Sequence, residues 1–470
     1  MGLSETVNDY FDIQEHGSSI RTEILAGVTT FLTMSYIVIV NPSVLTDQPG
    51  IPGADGIAIS GMAPGEVQSM LAVVTIIAAA TATFIMAIYA NRPFAQAPGL
   101  GLNAFFAFTV VGALGIPWQT ALAAVVVEGI IFIILTAVGA REYIIRAFPE
   151  PVKFAVGTGI GLFLTIIGLQ AMGIVVDDSA TLITLGSVAS DPVAFLSVLG
   201  LFITLALYAR GIPGSIIIGI VLTTLGGWAL TTFGPFTPDA GLVAGSTAVS
   251  YDITPLAGAF ISGLGDVEAF SFALIIFTFF FVDFFDTAGT LVGVGQAGDF
   301  LDDTGNFPDI DRPLMADAIG TTVGGMLGTS TVTTYIESAS GVKEGGSTGL
   351  TALTIATLFV GSLLLVPLAA AIPIYASHIA LVVIGIVMLQ NVIDIEWDDI
   401  THTIPAGMTI LVMPFTYSIA YGIAAGIVSY PIVKLAAGEV SDVRIGHWAL
   451  AAAFVVYFFV RTSGILTGQI

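Results

Sequence analysis

The chain has 470 residues, of which 56% are hydrophobic and only 10% are charged. Because soluble domains carry about 25% charged residues, this composition excludes an ordinary soluble protein and indicates an integral protein of a lipid bilayer. The absence of cysteine excludes disulfides, thiolate metal sites and cysteine nucleophiles.

The net charge of −23 arises from 34 acidic and 11 basic residues. Nucleic-acid binding would need a basic patch, so nucleic acid is excluded as a partner. The acids gather in the loops between apolar runs, which is typical of a halophilic surface; a negative surface that attracts basic partners is the alternative. The loop acids are Asp177, Asp178, Asp302, Asp303, Asp309, Asp311, Asp398 and Asp399.

Residues 1–20 are polar and have no basic region before a short apolar run, so we expect a cytoplasmic N-terminal segment rather than a cleaved signal. Long apolar runs then follow at nearly regular spacing, as helices crossing a core of ~30 Å require. The predicted spans are 22–45, 69–91, 97–113, 118–139, 152–176, 192–209, 213–233, 269–293, 313–328, 337–346, 350–373, 377–393, 404–417 and 419–436.

These 14 spans divide into seven in 21–235 and seven in 269–436, with an extracellular linker at 236–268. The third span of each half is short and rich in glycine. Matching interrupted segments of this kind indicate an inverted-repeat transporter and mark its site. A C-terminal tail, 437–470, contains one more apolar run, 447–460, which either spans the membrane or lies at its interface.

The basic residues predict the orientation of the chain. With the N-terminus inside, ten of the 11 basic residues fall on the cytoplasmic side, which is the positive-inside pattern. We therefore expect a multi-pass protein of the cell (plasma) membrane whose N-terminus is cytoplasmic. The ten residues are Arg21, Arg92, Arg141, Arg146, Lys153, Arg210, Arg312, Lys343, Lys434 and Arg444.

The first interrupted segment is 93–108. Pro93 and Pro98 fit poorly inside a helix, so we expect 94–97 to be extended and a half-helix to begin near Leu100. Asn103 would lie near the start of this half-helix, where the free N–H groups and the positive end of the helix dipole favour a polar ligand.

The second interrupted segment, 328–343, carries Glu337 between hydroxyl- and glycine-rich stretches. An ionisable side chain at membrane depth is costly and by default indicates a substrate or ion site. The β-branched residues of 331–335 predict an extended strand, and a half-helix is expected from about Glu337. Irregular backbone at this depth requires cover from protein or a polar cavity.

The eighth span places Asp283 and Asp286 three residues apart, hence on one helical face. Two buried acids of like charge are unlikely to ionise together at neutral pH, which suits a proton-coupled carrier. We expect Asp283, Asp286 and Glu337 to couple the proton. Polar support is expected from Glu128, Thr287, Thr290 and Ser338.

Glu128 lies in a regular span. The sequence favours neither of two hypotheses for it: a structural residue that only forms hydrogen bonds, or a residue that takes part in transport. His378, His402 and His447 fall at predicted span edges, where a solvated or interfacial histidine is expected. The sequence therefore predicts no metal site and no cofactor.

The segments 93–108, 281–290 and 328–349 resemble the signature segments of the nucleobase–cation symporters, specifically the AzgA-like adenine/guanine/hypoxanthine permease branch. The resemblance extends over nearly the whole chain. It implies an all-α membrane fold of 14 segments in two inverted repeats, with short strands before the half-helices of segments 3 and 10. It further implies a core domain (segments 1–4 and 8–11) that moves against a gate domain (5–7 and 12–14), usually in a homodimer.

By this resemblance, Glu337 would accept N–H bonds from the purine ring and Asp286 would provide a second polar contact. Asp283 would be the coupled neighbour of Asp286, Asn103 a polar contact from the third segment, and Tyr335 a source of backbone groups beside the ring. Which aspartate contacts the substrate stays open.

Two positions depart from the family pattern. Ser347 stands where the family commonly has arginine in a Gly-Gly-Arg-Thr-Gly turn, which puts a cytoplasmic-side ion pair in doubt. Tyr421 stands where the family often has an acid before its last helix, a change that would alter gating or selectivity.

We expect a secondary active transporter, not an enzyme, that imports hypoxanthine, adenine or guanine with a proton by elevator-type alternating access. Proton and purine would stabilise the same loaded carrier reciprocally. A uracil or xanthine permease of the same fold is one alternative. An anion transporter is another, although it should lack this acid cluster; sodium coupling also stays open because carboxylates coordinate either ion.

Overall fold

The computed structural model describes residues 3–47, 56–139, 148–237, 240–245, 248–265, 269–302 and 307–462. Within these ranges, ten helices are long and apolar enough to cross a membrane. The protein is therefore a polytopic helical membrane protein, as its composition predicts. Arg141 and Arg146, which contribute to the predicted orientation, lie outside the described residues.

In the first half of the chain, two helices are nearly continuous and form one candidate span, Ile20–Leu45. The fourth and fifth helices continue as π-helical turns, Met86–Ala90 and Phe105–Ala113. The elements are α1 (Leu3–Tyr10), α2 (Ile20–Met34), α3 (Ile37–Leu45), α4 (Pro64–Ile85), β1 (Gln96–Pro98), α5 (Leu100–Ala104), α6 (Trp118–Ala137), α7 (Glu150–Ala171), β2 (Val175–Asp178), β3 (Leu182–Leu185), α8 (Pro192–Ala209) and α9 (Ser215–Thr232).

The second half repeats the order of a long helix, a second helix, a short strand and a short helix. Three 3₁₀ turns join its later helices, at Ser362–Leu365, Leu389–Asp394 and Val440–Asp442. The elements are α10 (Phe260–Gly263), α11 (Ala269–Ala297), α12 (Asp311–Leu327), β4 (Val332–Thr334), α13 (Ser338–Lys343), α14 (Gly349–Gly361), α15 (Val366–Ala370), α16 (Ile374–Ser377), α17 (Ile379–Met388), α18 (Ile400–Thr416), α19 (Ile419–Ala437) and α20 (Ile445–Thr462).

Strands stand at both places where the sequence predicts extended backbone. β1 pairs antiparallel with β4, and Ala97 lies opposite Thr333. The pairing extends beyond the strands, because the Gly99 N–H donates to the Thr331 carbonyl at 3.0 Å and the Tyr335 N–H donates to the Ala95 carbonyl at 2.9 Å. Each strand leads directly into a short helix.

Small residues on α12 allow its neighbours to approach closely. A Cβ atom on Gly320 would lie 2.7 Å from the Ala82 Cβ of α4, and one on Gly324 would lie 2.7 Å from a Val332 methyl of β4. In membrane proteins, small residues of this kind replace the hydrophobic effect as the basis of helix packing. The strand pair packs against α4, α11 and α12.

The chain forms two compact units. The first contains Met1–Val138 and Ile167–Val383, and the second contains Gly139–Ile166 and Ile384–Ile470. Helices α8 and α9 belong to the first unit because both contact α16, and α9 also contacts α2. This grouping differs from the expected core and gate domains, which assign α8 and α9 to the gate.

The histidines correct one prediction. His378 and His447 are 0% and 5% exposed, so neither is the solvated side chain that a span edge suggests. The His378 Nδ1 lies 3.0 Å from the Ile374 carbonyl one turn earlier, and the His447 ring lies 5.3 Å from the Tyr430 ring. Both histidines are therefore packed inside the protein rather than facing water.

The apolar run at 447–460 forms α20. The apolar part of this helix, Ile445–Val456, is shorter than the ten candidate spans. The predicted linker contains α10 and is tied to the second half by the Gly258 N–H, which donates to the Met326 carbonyl at 2.8 Å.

Candidate functional site

Glu337 lies immediately before α13, in the short turn that follows β4. Its side chain is half-buried, and the Tyr36 hydroxyl donates to its Oε1 at 2.6 Å. Tyr36 comes from the junction of α2 and α3 and is 1% exposed. The site carboxylate is therefore held by a residue from the opposite half of the chain.

Asp286 presents an exposed carboxylate on α11. It is close enough to Glu337 for the two charges to repel each other. In the described part of the chain, a Cβ on Gly289 or on Gly293 would meet no atom within 4 Å. Two acids thus border open space along one face of α11, where a ligand rich in N–H groups could bind.

Tyr335 is nearly buried beside these acids. Its hydroxyl donates to the Pro98 carbonyl at 2.5 Å, and its backbone N–H is already used in the strand pair. Its carbonyl accepts from the Ser338 N–H at 3.1 Å. A carbonyl oxygen has two lone pairs, and Ser338 uses one of those on Tyr335. The other lone pair is the one backbone acceptor that Tyr335 can still offer to a ligand ring, as the resemblance implies.

Asn103 is buried on α5 and contacts the start of the opposite strand segment. Its Oδ1 accepts a hydrogen bond from the Ser330 hydroxyl. Its Nδ2 has no partner among the described residues. This amide therefore keeps a donor for a ligand or a water molecule.

Three of the four predicted supporting residues, Thr287, Thr290 and Ser338, have different roles. The Thr287 hydroxyl donates to Asp317 Oδ1 at 2.9 Å and lies 2.7 Å from the Thr333 hydroxyl. The Ser338 hydroxyl accepts from the Ala95 N–H at 3.0 Å, so it joins α13 to the strand pair. Thr290 is buried one turn beyond Asp286.

A second acid cluster lies deeper, around Asp283. Asp283, Glu128 and Asp317 are all fully buried, on α11, α6 and α12. Asp317 Oδ1 accepts from Gln96 Nε2 at 3.1 Å and from the Thr334 hydroxyl at 3.0 Å, in addition to Thr287. Asp317 thereby connects both strands to α11.

The sequence interpretation missed Asp317, although a signal existed. Asp317 lies within the predicted span 313–328, and an acid inside a span is by default a functional candidate.

Tyr36 and Tyr208 were also missed. Tyr208, on α8, is close enough to Glu337 for the charge of that acid to act on it. A tyrosine in an apolar run is ordinary in membrane helices, so no sequence signal distinguishes these two residues.

In the described residues, hydrogen bonds to the Glu23 carboxylate hold the turn that departs from the family pattern. The Glu23 carboxylate accepts from the Ser347 N–H at 3.1 Å and the Ser347 hydroxyl at 3.0 Å. It also accepts from the Thr348 N–H at 3.2 Å and the Thr351 hydroxyl at 2.6 Å. Serine therefore secures this turn by direct hydrogen bonds. At the other departure, the Tyr421 ring lies 5.4 Å from the Phe458 ring.

Within the described ranges, one group of side chains has the geometry to hold a metal ion: Glu396, Asp399 and His402. Glu396 is exposed, and Asp399 Oδ1 accepts from the Thr401 N–H at 2.7 Å, so that carboxylate already caps α18. A surface cavity of about 560 Å³ lies beside it, lined by residues from Ile395 to Asp399.

The sequence matches the family model Xan_ur_permease, a permease family, over residues 21–425. The adenine permease AdeP of Escherichia coli (strain K12) is 39% identical over 443 residues, which are 94% of this chain and 92% of AdeP. The guanine/hypoxanthine permease PbuO of Bacillus subtilis (strain 168) is 38% identical over 457 residues, 96% of this chain and 99% of PbuO.

Among solved structures, the transmembrane domain of the cyanobacterial bicarbonate transporter BicA is similar, with a TM-score of 0.57. The similarity covers 86% of this chain and 97% of that domain, at 17% sequence identity. It shows a shared fold and nothing about the substrate. From the family match and the extent of the relatives, the chain belongs to the nucleobase permease family, in its AzgA-like branch, and is a transporter rather than an enzyme.

Proposed function

We propose that this protein is a secondary active transporter that imports a purine nucleobase together with a proton. The proposal is carried by the pair Asp286 and Glu337, two carboxylates that border open space beside α11. Tyr36, from the first half of the chain, holds Glu337 in this position. Carboxylates accept hydrogen bonds, and hydrogen bonds to charged groups contribute about 1.5–3 kcal/mol each. A neutral heterocycle with several N–H groups suits such a site better than an anion does.

The relatives narrow the substrate class. AdeP is named for adenine, and PbuO for guanine and hypoxanthine. We infer a purine base of this group for the present chain. Glu337, Asp286, Asn103 and the remaining carbonyl lone pair of Tyr335 would bind it.

Proton coupling is the second part of the proposal. Asp283 lies one turn from Asp286, and both belong to a chain of acids that reaches Glu337. Protonation of one of these acids changes the charge close to the bound purine. The proton and the purine therefore change each other's binding affinity by the same factor. Sodium coupling is the competing outcome.

The proposed mechanism of transport depends on an architecture of two inverted repeats. The recurring order of helices, strand and short helix in the two halves supports 14 segments in inverted repeats, 21–235 and 269–436, joined by the linker 236–268. The shared fold with BicA supports the same architecture. We propose elevator-type movement of a core domain against a gate domain in a homodimer. In sequence, a cytoplasmic segment, 1–20, precedes the two repeats, and a tail, 437–470, follows them.

Uptake in cells that lack purine carriers tests the substrate. Labelled hypoxanthine would be offered with unlabelled adenine, guanine, xanthine or uracil as competitors, with and without a protonophore. We expect uptake that purines block and that the protonophore abolishes. Competition by uracil or xanthine alone would instead identify the alternative permease class, and the absence of uptake of any base would redirect the search to anions.

A further inference from the structure

The Glu128 side chain is the most isolated polar group near the site. It is 0% exposed on α6. Among the described residues, neither of its carboxyl oxygens receives a hydrogen bond from an N–H or hydroxyl donor. An isolated ionised carboxylate in this environment is so unfavourable that the group neutralises instead. Glu128 therefore needs a proton or a bound cation.

The group opposite Glu128 is another carboxyl. Helices α6 and α11, which carry Glu128 and Asp283, pack against each other, and the two fully buried carboxyls are neighbours across this contact. Ionised carboxylates only accept hydrogen bonds, whereas a protonated one donates. Two facing carboxyls therefore form a stable contact only when a proton lies between them. In the described residues, Asp283 Oδ1 likewise has no other partner.

The hydroxyl of Thr321 is consistent with a proton on this pair. It lies 2.7 Å from the Val332 carbonyl and 3.2 Å from Asp283 Oδ2. Because a hydroxyl has one hydrogen, donation to the closer carbonyl leaves a lone pair facing Asp283. A protonated Asp283 can donate to that lone pair.

The ionisable neighbours that act on Asp283 and Glu128 are Asp317 and Asp286. Asp317 Oδ1 has three donors, from Gln96, Thr287 and Thr334, which favour its ionised form. A negative charge on Asp317 attracts a positive ion to the neighbouring pair. A metal ion would require its oxygen ligands to surround one point, and in the described residues these three carboxyls do not converge within 4.8 Å. The geometry favours a proton over a metal.

We propose that Glu128 and Asp283 together bind the coupled proton as a shared carboxyl pair, separate from the substrate carboxylates Asp286 and Glu337. The inference rests on the proposed proton-coupled transport. Asp283 connects to the substrate site in two ways: it lies one turn before Asp286, and Thr321 bonds to β4, which leads to Glu337. Release of the proton from the pair would therefore act on Asp286 through α11 and on Glu337 through Thr321 and β4.

Glu128→Gln in purified protein reconstituted into liposomes tests the proposal. Glutamine keeps the shape of glutamate and always offers an N–H donor to Asp283, so it imitates the protonated pair. We expect accumulation of labelled hypoxanthine under a pH gradient to fall by at least about tenfold, the scale of a typical coupling free energy. Exchange of internal for external hypoxanthine should fall much less, because exchange needs no release of the proton.

Glu150→Gln is the matched control, since Glu150 is exposed at the start of α7; it should behave as the wild-type protein does. Accumulation by Glu128→Gln at the wild-type level would overturn the inference while leaving the proposed function intact. Wild-type accumulation driven by a sodium gradient in place of a pH gradient would also overturn it. Absence of wild-type hypoxanthine exchange would overturn the proposed function and this inference together.

Infrared difference spectroscopy gives a second readout that does not depend on transport. The wild-type protein at neutral pH should show the carbonyl band of a buried protonated carboxylic acid. Glu128→Gln and Asp283→Asn should each lose that band, because the amide supplies the hydrogen that the shared proton otherwise provides. Persistence of the band in both variants would contradict the assignment, even if one variant transports poorly.

Discussion

The Glu337 carboxylate accepts a hydrogen bond at 2.6 Å from the Tyr36 hydroxyl, which comes from the other half of the chain. The cost of an ionisable group at membrane depth is enough to select Glu337, together with Asp283 and Asp286. The same reasoning could have selected Asp317. It could not have selected Tyr36, because tyrosine is common in apolar helices and its bond to Glu337 joins residues 301 positions apart.

Glu337→Gln should weaken purine binding. Glutamine keeps the length of the side chain but removes the charge that strengthens hydrogen bonds from the purine N–H groups. Because a hydrogen bond to a charged group contributes about 1.5–3 kcal/mol, its loss should lower the affinity for hypoxanthine roughly tenfold to a hundredfold. Equilibrium binding of labelled hypoxanthine to purified protein measures it.

Glu344→Gln controls for the removal of one negative charge, since Glu344 is an exposed acid just beyond α13. Its hypoxanthine affinity should match that of the wild-type protein. Equal affinities in all three proteins would mean that Glu337 does not contact the purine.

At the scale of elements, prolines and β-branched residues predicted where the two strands lie, because each residue type restricts the backbone locally. The pairing of these strands has no local signal, since no sequence pattern joins Gln96–Pro98 to Val332–Thr334. The edges of α16 and α17 were misjudged for a similar reason. Hydropathy does not report the cover that neighbouring helices give to His378.

Gly99→Ala should disturb the strand pair. The new Cβ would lie 2.6 Å from a Thr333 methyl across the pair. Such overpacking typically costs about 1–3 kcal/mol, so the Tm of the detergent-solubilised protein should fall, and hypoxanthine binding should weaken with it. Thermal unfolding followed by circular dichroism measures the first effect.

Gly361→Ala is the control for this substitution, because in the described structure a Cβ there meets no atom within 4 Å. Its Tm should stay the same or rise. A Gly99→Ala protein as stable as Gly361→Ala would show that the approach of the two strands is less tight than the structure indicates.

Asp399→Ala should destabilise the start of α18. The Asp399 side chain accepts from the Thr401 hydroxyl and N–H, and these bonds hold the pKa of Asp399 below its usual value. Loss of such an N-cap costs about 1 kcal/mol. Because the folded pKa is the lower one, the stabilisation is present above the ordinary carboxyl pKa and disappears as pH falls through the lowered value.

Asp398→Ala provides the comparison, since Asp398 is its exposed neighbour. The difference in Tm between the two variants should be present at neutral pH and vanish in acid. A difference that is constant across this pH range would exclude the cap as its cause.

At the scale of the whole molecule, the basic residues predict which loops face the cytoplasm. The natural absence of cysteine makes this directly measurable. Ser187→Cys, in an exposed loop predicted to lie outside, should react with a membrane-impermeant maleimide on intact cells. Ser441→Cys, an exposed residue between Lys434 and Arg444, should react only after the cells are opened. The reverse labelling pattern would contradict the predicted orientation.

The grouping of the helices into larger units was harder to predict than the individual helices. Composition and spacing predict the helices, because each must bury about 20 apolar residues in the bilayer. Which helices group together depends on side-chain contacts, such as those of α8 and α9 with α16, that periodicity does not encode. Core and gate domains therefore stay a proposal about movement.

Accumulation of labelled hypoxanthine in liposomes that contain only this protein tests proton-coupled purine transport most directly. An inward pH gradient should raise internal hypoxanthine above the external concentration, and a protonophore should abolish the rise. Glu337→Gln should show little accumulation under the same gradient. Hypoxanthine that merely equilibrates, or that accumulates equally with and without the gradient, would contradict proton coupling; failure to enter at all would contradict purine transport.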